Sequence, residues 1–213
     1  MTSKPKRGRP AQRRLPQPFR QGDLDCLCGV YSTVNALRAI CPEIDTEAAT
    51  WLFNCLMCDL PDGVKPEYAV TEGVWRSGLE RVIRQAITTV SDEYDIVLSV
   101  KRPPKTFRHS ADLEAFWHWL DSQLSPTRVA IIGLGGRHSH WTVAVAMTHQ
   151  QIRLYDSGEL KLLRRRVCTV GRASSRSSIS PTHVFVIIVW RKSTQDSCNS
   201  TPGAVSGGWR VNW

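Results

Sequence analysis

Residues 21–37, QGDLDCLCGVYSTVNAL, constrain the fold more than any other part of the chain. Apolar residues recur at helical spacing after Cys28, which predicts a helix that begins at this cysteine. At a helix N-terminus, unpaired backbone N–H groups and the positive end of the helix dipole favour a thiolate over a thiol. Gln21 lies seven residues upstream, close enough for its carboxamide to donate a hydrogen bond to an oxyanion. The stretch therefore predicts a reactive cysteine.

The rest of the chain divides into a helical first half and a second half rich in strands. Helices are predicted at residues 28–40, 46–58 and about 70–90, and after Ser110 as N-cap. Strands are predicted at residues 94–100, 128–134, 140–147, 151–156 and 182–190, with a polar loop at 171–181. Helices first and antiparallel strands later are typical of an α+β fold.

Two of these predicted strands supply the partners that a thiol nucleophile needs. His140 opens the strand HWTVAVAM, and Asp156 closes the next strand in LYDSG. Antiparallel strands joined by a tight turn bring the start of the first strand to the end of the second. A carboxylate that orients an imidazole is the arrangement that activates a cysteine. We expect His140 and Asp156 to lie together, with His138 as the alternative base.

These motifs resemble the papain-like cysteine peptidases, in which a glutamine precedes a helix-capping cysteine and the base histidine begins a later strand. The segment CGVYS is most similar to the branch that processes bacteriocin leader peptides after a double glycine. In that branch the glutamine-to-cysteine spacing is usually six. Here Cys28 lies at seven and Cys26 at five. The resemblance assigns Cys28 as nucleophile, with Cys26 as the alternative.

The same resemblance implies the remaining roles and the reaction. His140 is the base, Asp156 the orienting acid and Gln21 the oxyanion donor. The implied fold is papain-like, with the nucleophile on the helical part and the base on the antiparallel sheet. The implied activity is that of a cysteine peptidase, which cleaves a peptide or isopeptide bond through a Cys28 thioester. If an amine resolves the thioester, the same site makes an acyltransferase or transglutaminase, and the residues leave that choice open.

The expected partner is a protein or peptide substrate, and we expect no cofactor and no metal. Cys26 and Cys28, with Cys55 and Cys58, leave open a zinc site. Both pairs lie within or beside apolar helical patterns, which favours their being core residues. Leader-processing relatives are normally fused to a membrane transporter, and this sequence has no such fusion. We therefore expect a freestanding bacterial enzyme or an effector-like one.

Three segments are expected along the chain. They are a disordered basic arm at residues 1–20, one domain at 21–192 and a flexible tail at 193–213. The arm contains seven Lys or Arg and no acidic residue, so it carries most of the formal net charge of +9. Such an arm is typical of a solvated tail, or of weak contact with nucleic acid or an acidic surface. A nucleic-acid-associated protein with a degenerate site, using the arm and Arg164–Arg166, is the alternative from another class.

Cysteine count and hydropathy indicate the compartment. Seven cysteines is an odd number, which no framework made only of disulfides accommodates. The sequence contains no Sec-type signal peptide and no apolar run long enough to span a bilayer. We therefore expect a cytoplasmic location, or export without a Sec-type signal.

Overall fold

A computed structural model describes residues 15–23, 25–60, 62–109, 112–136, 138–171 and 177–190. Its helices are α1 (Cys28–Ile40), α2 (Thr46–Cys58), α3 (Pro66–Thr71), α4 (Arg76–Tyr94) and α5 (Leu113–Gln123). Its strands are β1 (Val97–Lys101), β2 (Arg128–Gly135), β3 (His140–Met147), β4 (Gln151–Tyr155), β5 (Leu162–Arg164), β6 (Cys168–Val170) and β7 (Ser177–Trp190). Short 3-10 helices cover Lys105–His109 and Arg165–Val167.

The seven strands form one sheet in the order β1-β7-β2-β3-β4-β5, and neighbours along this path are antiparallel. Strand β6 pairs with the first residues of β7 and is parallel to it. The α+β class expected from the sequence is confirmed, with this one parallel pair added. The long strand β7 replaces the predicted strand at 182–190, because residues 177–179 of the expected loop already pair with β2 and β6.

Apolar residues on both faces of the sheet are buried under helices. Along β2, Val129 and Ile131 belong to the core under α1, α2 and α4, while Ala130 and Ile132 belong to the core under α5. This alternation follows from the two-residue period of a strand. Helix α1 packs against β2, β3, α2 and α4, and most of its side chains are buried. The first residue of α1, Cys28, is thereby placed near the start of β3.

Two helical predictions need correction. The pattern over about 70–90 folds as two helices, α3 and α4, because Gly73 adopts a positive φ of 82° between them. Only glycine adopts such a backbone conformation at little cost. Helix α5 is capped by Asp112, whose carboxylate accepts the Ala115 amide at 3.0 Å. The predicted cap, Ser110, lies outside the described residues.

The described part of the predicted basic arm, residues 15–20, is bonded to the domain. Asn35 exchanges two hydrogen bonds with the backbone of Phe19, at 2.8 and 3.0 Å. The Tyr155 hydroxyl donates to the carbonyl of Gln17 at 3.1 Å. Residues 15–20 therefore pack against the domain, while residues 1–14 and 191–213 lie outside the described residues. None of the helices described is both long and apolar enough to cross a bilayer.

Candidate active site

The turn before α1 is shaped by Asp25. One oxygen of its carboxylate accepts the Gly22 amide at 3.1 Å, and the other accepts the Leu27 amide at 2.9 Å. Cys28 follows as the first residue of the helix, and its side chain is partly buried. Leu27, at the N-cap position, gives the helix start no side-chain hydrogen bond. The first-turn N–H groups are therefore left to other acceptors.

His140 and Asp156 meet at the ends of β3 and β4. His140 Nε2 lies 2.8 Å from Asp156 Oδ1, and the Asp156 side chain is only 2% exposed. The other oxygen of Asp156 accepts the backbone amides of Gly158 and Leu160, at 2.8 and 3.0 Å. The hairpin register that brings the two strands together pairs Val143 with Tyr155. The Asp156 carboxylate is thus held by several hydrogen-bond donors, and its bond to His140 fixes the orientation of the imidazole ring.

The charges of this pair depend on each other. Burial alone would raise the pKa of Asp156, but the hydrogen bond and charge of His140, with the Leu160 amide, hold it below its ordinary value. Burial alone would lower the pKa of His140, but hydrogen bonds to Asp156 and Cys28 and their negative charges outweigh it and raise the pKa to about 9. Since Nε2 is engaged by Asp156, Nδ1 is the nitrogen that can exchange a proton with Cys28.

Gln21 is tied to the turn before α1 and to the turn after β4. Its backbone N–H donates to the Ser157 carbonyl at 3.1 Å, and its carboxamide donates to the carbonyl of Asp25. A carboxamide carries two N–H donors, so a second remains for another acceptor. Gln21 lines a cavity of about 600 Å³ together with Cys28 and His140. The structure therefore brings all four residues singled out by the sequence to one place.

The two alternatives from the sequence occupy different positions. His138 lines a second cavity of about 450 Å³, together with His140 and Asp156, but not the larger one. Cys26 is exposed and lines the larger cavity, and its backbone N–H donates to the Val70 carbonyl at 2.8 Å. Of the two thiols, only that of Cys28 contributes to the raised pKa of His140.

Two sequence motifs remain, the cysteine pairs that left a zinc site open and the basic run that ends at Arg164–Arg166. Within the described part of the chain, no group of three or more His, Cys, Asp or Glu side chains is placed to hold a metal ion. In the basic run, Arg165 pairs with Glu114 and lies over the ring of Trp117, 5.5 Å from its centroid. That arginine is therefore engaged in the fold, whereas Arg164 and Arg166 are exposed.

The sequence argument missed residues that fix the site in place. The Ser32 hydroxyl donates to the Trp141 carbonyl at 2.9 Å, and the Trp141 indole donates to the Val74 carbonyl at 3.0 Å. Ser139 enters β3 with a left-handed φ of 42°, which is uncommon for a residue with a side chain. A small polar residue one turn after Cys28 was the available signal for Ser32.

Comparison with protein-family models and with curated proteins finds no match. Among solved structures, the chain is similar to a double glycine motif protease from an AMS/PCAT transporter, in a crystal structure with the leader peptide. The match covers 84% of this chain and 94% of that chain, at 12% sequence identity and a TM-score of 0.42. A likeness at this level decides neither fold nor function, so the case for function rests on the geometry of Cys28, His140 and Asp156.

Proposed function

We propose that this chain is a papain-like thiol hydrolase, a cysteine peptidase that cleaves a peptide or isopeptide bond. One observation carries the proposal: His140 is hydrogen-bonded to Asp156 through Nε2, at the wall of a cleft that is also lined by Cys28, the first residue of α1. A thiol, an imidazole and a buried carboxylate in series are the groups that covalent acyl chemistry uses.

The first half of the proposed reaction forms the thioester. Cys28 gives its proton to His140 Nδ1, and the thiolate attacks the substrate carbonyl carbon. The carbonyl electrons move to oxygen, where the Cys28 backbone N–H and the second N–H of the Gln21 carboxamide donate to the oxyanion. As the C–N bond breaks, His140 protonates the leaving amine and becomes neutral.

The second half releases the acid. Neutral His140 takes a proton from a water molecule, whose oxygen attacks the thioester. The C–S bond breaks, a carboxylic acid leaves, and the Cys28 thiolate again faces a protonated imidazole. Asp156 keeps Nδ1 directed at the sulfur through both halves, because its bond to Nε2 fixes the orientation of the ring.

The test uses an internally quenched peptide library and mass spectrometry. The wild-type chain should cleave a subset of peptides, and Cys28→Ala should cleave none. Cys55→Ala is the matched control, because Cys55 is a partly buried thiol on α2 and should leave cleavage unchanged. Acid-quenched wild-type protein should carry an acyl adduct on Cys28 that hydroxylamine removes. Cleavage that survives in Cys28→Ala, or no cleavage and no adduct in wild type, would contradict the proposal.

The same assay separates hydrolysis from acyl transfer. Added primary amine competes with water for the thioester, and the ratio of amide to acid products is read by mass. We expect the acid to dominate without added amine. A product that forms only with the amine would move the assignment to an acyltransferase or transglutaminase on the same residues.

A further inference from the structure

Strand β7 leaves its regular register with β2 beside the cleft. Ile132 pairs with Val184, whereas Leu134 pairs with Ile179. An advance of two residues along β2 therefore corresponds to five residues along β7, so residues 180–183 form a bulge. Bulges next to active sites redirect the side chains that they carry, so this segment is a place to look for substrate contacts.

The bulge carries His183, whose ring is held by a chain of polar contacts. Its Nδ1 lies 3.2 Å from the Thr182 hydroxyl, which lies 2.8 Å from the Ser180 hydroxyl. The guanidinium of Arg102 donates to the Thr182 carbonyl and so holds the backbone of the bulge. The His183 ring also packs beside Trp141, with 5.6 Å between ring centroids. With Nδ1 engaged, Nε2 is the nitrogen that can face a ligand.

Gly133, on the neighbouring strand β2, leaves room for the side chains of His183 and Trp141. A Cβ at that position would lie 2.9 Å from His183 Cβ and 2.9 Å from Trp141 Cζ3. Real Cβ atoms do not approach carbon atoms so closely, so a larger residue would displace one of the two rings. The sheet therefore accommodates His183 and Trp141 side by side at the wall of the larger cavity, which both residues line.

The wall of the larger cavity carries positive charge near His183. Arg76, the first residue of α4, is exposed and lines the same cavity, and among the described residues it has no carboxylate within 4 Å. Burial, with the charges of Arg76 and Arg102, lowers the pKa of His183, so the ring is neutral at neutral pH. A neutral ring that accepts the Thr182 hydroxyl at Nδ1 carries its proton on Nε2. Glu80 pairs with Arg84 and Arg102. Glu72 is the acidic residue on the cavity wall.

We propose that Arg76 and His183 form a subsite that binds an acidic side chain of the substrate peptide, next to the bond that Cys28 attacks. A carboxylate suits both groups, because the guanidinium offers paired N–H donors and a charge while the imidazole offers one further donor. This inference rests on the proposed function, since it takes the substrate to be a peptide. It adds the class of side chain that the cleft selects.

The experiment compares peptide libraries that differ only in Glu or Gln at one position at a time around the scissile bond. The wild-type chain should cleave the Glu library faster than the Gln library at one position, by about tenfold in kcat/KM. Arg76→Gln and His183→Ala should each remove most of that preference. Arg81→Gln is the matched control, because it makes the same change at an exposed position of the same helix and should keep the preference.

A binding measurement separates failure of the subsite from failure of the hydrolase. Cys28→Ala protein, which retains the cleft, is used to select bound peptides from the same libraries without turnover. Enrichment of Glu peptides that Arg76→Gln abolishes supports the subsite, even if wild-type protein cleaves nothing. Equal cleavage of the Glu and Gln libraries, or selection without enrichment of Glu, overturns the subsite and leaves the Cys28 chemistry to its own test.

Discussion

The Ser32 hydroxyl donates a hydrogen bond to the Trp141 carbonyl at 2.9 Å, and both residues are buried. Ser32 lies one helical turn after Cys28 on α1, and Trp141 directly follows His140 on β3. This one bond therefore ties the helix that carries the thiol to the strand that carries the imidazole. The bond from the Trp141 indole to the Val74 carbonyl ties the same strand to the segment that precedes α4. The spacing of Cys28 and His140 is thus set by the packed core rather than by a loop.

Replacing Ser32 with Ala should lower kcat by about tenfold or more and leave KM nearly unchanged. Small misplacement of reacting groups reduces turnover strongly, and Ser32 is not among the residues that line the cleft. Losing the hydrogen bond should also lower the free energy of unfolding by about 1 kcal/mol. Steady-state kinetics and urea unfolding measure both effects.

Thr50→Ala is the control for that variant. The Thr50 hydroxyl donates to the Thr46 carbonyl on the exposed face of α2, so its loss removes a comparable bond from a helix that carries no site residue. We expect its kcat to equal that of wild type. A Ser32→Ala variant with wild-type kcat would show that the bond does not position the site.

A thiol-directed electrophile at limiting dose should label Cys28 first. Cys28 begins α1 and lines the same cleft as the His140 imidazole, which can take its proton and leave the reactive thiolate. If exposure alone decided reactivity, Cys26 and Cys58 would be labelled before Cys28, because both are exposed whereas Cys28 is only partly exposed. Core positions were expected for Cys55 and Cys58, but Cys55 is only partly buried and Cys58 is exposed. Peptide mapping decides the order, and a dominant adduct on Cys26 would move the nucleophile two residues back.

Replacing His140 with Ala should abolish peptide cleavage, by at least about a hundredfold in kcat, while far-UV circular dichroism stays that of a folded chain. His138→Ala is the matched variant, because it removes an imidazole two residues away that lines the smaller cavity. It should retain most of the activity. Cleavage by His140→Ala would rule out the proposed role of this histidine, and loss of cleavage in His138→Ala alone would transfer the role to His138.

The meeting of His140 and Asp156 was predictable because it depends on local features. Strand period and a short turn determine which residues of a hairpin lie opposite each other, and both are visible in HWTVAVAM and LYDSG. The start of α1 at Cys28 was predictable for the same reason, since helical spacing of apolar residues begins there. What each residue does in a reaction is a separate matter and stays a prediction.

Features that depend on distant contacts were not predictable from the sequence. Residues 15–20 read as part of a basic arm, but Asn35 and Tyr155 hold their backbone from other elements. The bulge that presents His183 depends on the pairing of β7 with β2, and no local signal marks its register. Propensity and periodicity describe only neighbours along the chain, so tertiary contacts of this kind override them.

The pH dependence of stability should report the charge state of His140. Its pKa is raised from the ordinary 6.5 to about 9 in the folded chain, because bonds and charges of Asp156 and Cys28 outweigh its burial. A group with a raised pKa stabilises the folded state fully below its unfolded pKa, and that stabilisation is lost as pH rises through the folded value. We therefore expect the free energy of unfolding to fall between about pH 6.5 and 9, by at most about 3 kcal/mol.

Urea unfolding at several pH values from 6 to 9.5 measures this fall, and His140→Gln should lack most of it. Asp156 does not contribute to the slope in this window: its pKa is lowered, so its stabilisation is lost only as pH falls below its ordinary value of 3.8. His118→Gln is the control, because it removes an exposed imidazole that pairs with Glu114 on the surface of α5. That variant should keep the wild-type slope. A wild-type chain whose stability is flat from pH 6.5 to 9, or a slope that persists in His140→Gln, would show that the imidazole is not held protonated by Asp156 and Cys28.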